Sequence, residues 1–244
     1  MSIGGIIMTN AVEKCNVLDF FEEESTKDYT TLPLNLTDGI DLNLVEDIED
    51  SLPKSKGCDC PSRDEIEEVI EHLIANGKIK QACLLTVHIH FGLRNSDVGS
   101  LRVFELIKAD GTFRDTVQKQ EKKTGKFNNL VINETVRIAV ATYLKTCKDK
   151  KYTDYIFTSD SNHKKLVKAT IQLSDGKVHE YETFAPLSRM SEERYIKNSF
   201  IECGYNLSND KRCSGEGSKY STHSLRKYYC LDFTNTATRL KAEG

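Results

Sequence analysis

The chain has 244 residues, of which 38% are hydrophobic, and a formal charge of −3, so it can bury a full core as one large domain or two small ones. No apolar run approaches the roughly 18 to 20 residues needed to cross a bilayer, and the opening MSIGGIIMTNAVEK lacks the basic flank and cleavage pattern of a signal peptide. These features exclude a membrane-spanning or secreted class and predict a cytoplasmic protein whose eight scattered cysteines stay thiols.

The small net charge hides an asymmetry. Residues 1–60 hold 4 lysines against 13 acids, a net of −9, which leaves 30 bases against 24 acids, a net of +6, for residues 61–244. Such a split fits an acidic tail beside a domain that binds a polyanion, and equally a solvated surface of mixed charge. In residues 1–60, acids, Pro and Gly interrupt every short apolar run, so this segment reads as an acidic tail or linker. Cys58 and Cys60 form a CxC, but no second pair completes a zinc pattern.

The character changes at Pro61. SRDEIEEVIEHLIANGK opens with Ser62 and Glu65 in capping-box spacing and carries Ile66, Val69, Ile70, Leu73 and Ile74 on one face, closing on Asn76-Gly77. A second helix, apolar all round and therefore central, covers QACLLTVHIHFGL and leads to Arg94; its His88 and His90 read as structural. VFELIKADGTFRDTVQKQEKKTGKFNNLVIN predicts three short antiparallel strands with turns at Asp110-Gly111 and Thr124-Gly125. A helix behind Asn133 follows, then an extra hairpin over 166–184 turning at Asp175-Gly176, a helix ending at Gly204, and a last helix from about Thr222. The expected fold is α+β: a mainly helical domain over 61–244 with a small three-stranded antiparallel sheet and a β-hairpin.

Three short stretches carry chemistry. GLRNSDVGSLR supplies Arg94 with Asp97 three residues on; THSLRKYY supplies His223 with Arg226 one helical turn later; between them QEKKTGK places Lys123 directly before Thr-Gly. Each has a plain reading taken alone. An Arg and an Asp three apart at a helix start commonly form a capping or surface pair, a lone helix histidine is commonly structural, and a lysine-rich turn is commonly solvated.

Taken in this order, the three stretches resemble the tyrosine recombinase (phage integrase) family over residues 61–236. The resemblance implies the catalytic domain of a mobile-element or phage-type integrase that cuts and rejoins double-stranded DNA through a 3′-phosphotyrosyl intermediate, as a tetramer on DNA and without cofactor. Arg94 and Arg226 would clamp the phosphate, since guanidinium forks stay charged and meet phosphate oxygens in bidentate fashion. Lys123, with Lys122 and Lys126 as near alternatives, would protonate the departing 5′ oxygen. His223 would transfer a proton or bond the phosphate, and Asp97 would orient an arginine. Because guanidinium groups carry the charge work, no divalent metal is implied.

Two departures from the family pattern stand out. The family's nucleophilic tyrosine lies about thirty residues beyond the HxxR arginine, whereas Gly244 is eighteen residues beyond Arg226; Tyr228 and Tyr229 are expected to pack rather than react, and Tyr220, ahead of the motif, is no better placed. Residues 1–60 are also too few and too irregular to form the family's helical core-binding domain. The alternatives are therefore a truncated enzyme domain, a non-catalytic DNA-binding or regulatory relative that keeps the phosphate clamp, and a protein-interaction module in which the charges form surface pairs.

Overall fold

The framework begins at Ser62, where the capping box is realised. In the computed structural model, which describes residues 59–120, 125–160, 165–172, 178–205 and 220–243, Ser62 Oγ accepts from the Glu65 backbone N–H at 3.2 Å and Glu65 Oε2 accepts from the Ser62 N–H at 2.7 Å. Two N–H groups that the first turn would leave orphaned are thus satisfied, and helix α1 (Arg63–Ala75) buries Ile66, Val69, Ile70 and Leu73. Each such side chain contributes about 1.5–3 kcal/mol when it leaves water. The acidic segment proposed for residues 1–60 lies outside the described residues except for Asp59 and Cys60.

Helix α2 (Ile79–Phe91) is buried at every position from Ala82 to Phe91. It has no polar face because it is surrounded, packing against α1, α5 (Glu134–Lys145), α6 (Arg189–Glu202) and α7 (Thr222–Glu243). It ends at Gly92, whose φ of +55° lets the cap N–H return to the His88 carbonyl at 3.1 Å. Two single-turn helices follow, α3 (Asn95–Val98) and α4 (Val103–Leu106).

The three-stranded sheet is a correction. Residues 103–106, expected as a strand, form the turn α4, because Glu105 Oε2 accepts from the Arg102 N–H at 2.7 Å and closes the chain helically. The remaining apolar alternation yields one isolated bridge, Ile107 with Phe113, around Gly111 at φ +85°. What forms is a two-stranded ribbon, β1 (Thr116–Gln120) and β2 (Phe127–Val131), in antiparallel register from Thr116 opposite Val131 to Gln120 opposite Phe127. Its Val117 and Leu130 enter the core. The α+β class stands, with two small antiparallel sheets.

Helix α5 is capped by Asn133, whose Oδ1 accepts from the Val136 N–H at 3.0 Å. The hairpin pairs β3 (Leu166–Gln172) with β4 (Val178–Phe184), and its expected turn at Asp175-Gly176 lies outside the described residues. Arg102 bolts the hairpin to the domain: Nη1 donates to the Thr170 carbonyl at 3.0 Å and to Tyr181 Oη at 2.5 Å, with the guanidinium over the rings of Tyr155 and Tyr181. Thr183 adds a bond to Asp154 at 2.6 Å. Helix α6 starts on Ser188 as cap, and α7 closes the core with Leu225 and Tyr228. Among the described residues no helix is long and apolar enough to cross a membrane.

Removing the cap that launches α1 is expected to cost about 1 kcal/mol. Chemical denaturation of Ser62→Ala should show that loss with an unchanged slope, and Ser62→Asp should recover most of it; equal stability of all three would deny the box any role.

Candidate active site

Arg94 sits where α2 stops. Gly92 turns the chain, Leu93 is 2% exposed and anchors it, and Arg94 caps α3 in extended conformation (φ −69°, ψ 152°). Its carbonyl accepts from the N–H groups of Asp97 at 2.8 Å and Val98 at 3.0 Å. The Arg94 side chain is half-buried, with Nη1 sealed from solvent. Asp97 is 0% exposed, so it belongs to the interior beneath the turn and is no surface ion-pair residue.

His223 and Arg226 lie in the first turns of α7. That helix is held at its start by Tyr220, 1% exposed, whose hydroxyl donates to both oxygens of Glu65 at 2.9 and 2.8 Å. Ser224 and Leu225 face the core, His223 faces solvent and Arg226 is half-buried. One residue type decides how closely α7 lies on the Arg94 turn. A Cβ at Gly92 would come within 2.7 Å of Cε1 and Cγ of the Tyr229 ring and closer still to Cδ1. Tyr229 is three residues past Arg226 and Gly92 two residues before Arg94, so this approach seats the two arginine-bearing segments against each other across 132 positions of sequence. Lys123 lies outside the described residues. Its neighbours Gln120 and Phe127 are paired strand ends, and Lys119 on β1 is committed elsewhere, donating to Glu105 at 2.9 and 3.1 Å and to the Ser100 carbonyl at 3.2 Å.

The flanking tyrosines are packed, as expected. Tyr228 is 5% exposed, and burial raises its hydroxyl to about 12; Tyr229 is raised by burial too, opposed by the Arg226 charge. Both histidines of α2 are buried. His90 Nδ1 accepts from the Asn133 amide at 2.9 Å, and burial, helped by the Arg63 charge, lowers its pKa to about 3. Among the described residues no three His, Cys, Asp or Glu side chains converge to hold a metal ion.

Sequence reading missed the residues of α6 beneath the site. Glu192, 1% exposed, accepts from His88 Nε2 at 2.7 Å. With its nitrogen turned to that carboxylate, the Asn95 amide donates to Oε1 at 2.6 Å and also meets Oε2. This orientation is favoured over the one reaching the Arg189 carbonyl at 3.3 Å, which would set the amide oxygen against a carboxylate. Nothing in the pattern SEER distinguishes Glu192 from a solvated helix acid.

Two outcomes are expected. Gly92→Ala meets both a left-handed φ and the Tyr229 ring, and should cost more than about 2 kcal/mol; Tyr229→Ala in the same chain should recover the clash part only, measured by a denaturation cycle. His90 gives a pH dependence: between about 3 and its ordinary 6.5 the unfolded chain takes up a proton that the folded chain refuses. This contribution is full above 6.5 and is lost as pH falls towards 3. His90→Gln should flatten stability across that window, and an unaltered profile would contradict the assignment.

The model of the phage integrase family matches residues 62–242. Among solved structures, XerA recombinase is similar at 15% identity over 75% of this chain and 52% of that one, with a TM-score of 0.49. A lambda integrase (75–356) dimer bound to a COC′ core site is similar at 13% identity over 77% of this chain and 58% of that one, with a TM-score of 0.46. The chain thus spans about half the length of the solved structures it matches, and no curated protein matches it. The likeness to those structures is too distant to carry argument; the family match covers most of the chain, and on that ground the protein belongs to the phage integrase family.

Proposed function

We propose that residues 61–244 form the catalytic-domain core of a mobile-element or phage-type tyrosine recombinase, acting in site-specific cleavage and rejoining of double-stranded DNA. The observation that carries this reading is the Gly92–Tyr229 approach, which seats the Arg226 helix on the Arg94 turn in a chain that belongs to the phage integrase family. Arg94 and Arg226 grip the non-bridging oxygens of one phosphate and stabilise the charge that builds as a hydroxyl attacks. Asp97, sealed below the turn, orients the Arg94 side, and His223, exposed at the start of α7, bonds the phosphate or moves a proton. Lys123, in the connection between β1 and β2, protonates the departing 5′ oxygen, with neighbouring cations easing its deprotonation. In the full reaction a tetramer on DNA brings two duplexes together.

The tyrosines flanking the HxxR are not the nucleophile in this reading: Tyr220 is held by Glu65, and Tyr228 and Tyr229 pack into the domain. No tyrosine follows Tyr229 in the sequence. The alternative reading is a non-catalytic DNA-binding or regulatory relative that keeps the phosphate clamp.

The test is duplex DNA binding between about 50 and 200 mM salt. Affinity is expected to fall steeply with salt, and Arg94→Ala and Arg226→Ala should each weaken binding and lower the log–log slope, by about 0.9 for the pair together, since they share one phosphate. Binding indifferent to both substitutions, in variants with unchanged circular dichroism, would refute the clamp. Lys123→Ala should leave affinity within about twofold, since its role is in the transition state.

A further inference from the structure

Two adjacent acids on α6 each hold a residue next to one half of the clamp. Glu192 points inward: its carboxylate takes a hydrogen bond from His88 at 2.7 Å, in the last turn of α2, and one from Asn95 at 2.6 Å, the residue directly after Arg94. Its Oε2 also lies 3.1 Å from where a Cβ at Gly99 would stand, so the pocket under the Arg94 turn is shaped around this carboxylate. Glu193 points to the side: its Oε2 accepts from Thr222 Oγ1 at 2.6 Å, while its Oε1 meets Lys197 at 3.3 Å. Thr222 is 6% exposed and directly precedes His223. Successive helix residues diverge by about 100°, so one rigid helix reaches both elements.

From this juxtaposition we infer that Glu192 and Glu193 are positioning residues: α6 is a brace that sets the distance between the Arg94 turn and the His223–Arg226 helix. The inference rests on the phosphate-clamp reading above. A buried acid is costly to desolvate, and an apolar side chain of similar volume would pack as well or better. What the carboxylates add is direction, since hydrogen bonds from His88, Asn95 and Thr222 admit only a narrow placement of the helices that carry them. A clamp of two guanidinium groups on one phosphate needs that placement, because displacement by about 1 Å forfeits much of its effect.

Double-mutant cycles on duplex DNA binding test the brace. Thr222→Val, which removes the hydroxyl at nearly constant shape, should weaken binding about fivefold when Arg226 is present and less than about twofold in Arg226→Ala; Thr222→Ser should bind as the parent does. Glu192→Gln should show the same coupling to Arg94, keeping its full effect in the Arg226→Ala background. A merely structural loss would combine equally with both arginines, so additive cycles overturn the brace while leaving the clamp intact. Should neither arginine substitution weaken binding, the clamp and the brace fall together. If Glu192→Gln does not fold, the Thr222 and Glu193 arm decides alone, with Thr222→Val indistinguishable from Thr222→Ser as the contradicting result.

Discussion

Everything at this site depends on the absence of one methyl group. Helix α7 can lie against the end of α2 because residue 92 has no Cβ to occupy the space of the Tyr229 ring. The same glycine supplies the left-handed turn that ends α2 and sends the chain to Arg94. Helix exit and helix contact are therefore one constraint, and any other residue would strain both. Because α2 is buried along ten consecutive residues, its end cannot shift to relieve a bulkier side chain without disturbing the core that α1, α5, α6 and α7 share.

On this rigid corner the charges are arranged at different depths. Arg94 and Arg226 are half-buried, which raises the strength of their interaction with an anion over that of fully solvated side chains while leaving each reachable. Asp97 and Glu192 are withdrawn from solvent altogether, in positions to set geometry from below. Of these groups His223 alone is exposed. Burial thus separates supporting groups from groups that would meet a substrate.

What could be read from sequence follows the reach of the signal. Ser62 with Glu65, Asn133 before its helix and Gly204 after its own are local devices, and each holds in the structure. The Arg94–Asp97 and His223–Arg226 pairs stand out only through their ordered resemblance to the family, since each alone has a plain structural reading. Residues 103–106 misled because Val103, Phe104 and Leu106 suit a short strand, while the deciding bond, Glu105 to the Arg102 N–H, is a side-chain choice that no periodicity reveals. Glu192 and Glu193 were invisible for a different reason: an acid on a helix announces neither burial nor a partner, and theirs lie 97 residues before and 29 residues after in the chain. Arg102 likewise reads as a surface cation, yet it secures the hairpin through Thr170 and Tyr181.

The central claim is that Arg94 and Arg226 serve one anion. It is tested most directly by titrating the protein with inorganic phosphate and following the guanidinium Nε–H resonances of the two arginines by NMR, assigned through Arg94→Lys and Arg226→Lys. Both signals are expected to move along one binding curve, and each substitution should abolish the response of the other arginine. Two curves of different midpoint, or a response that survives loss of the partner, would show two separate charges and contradict the account.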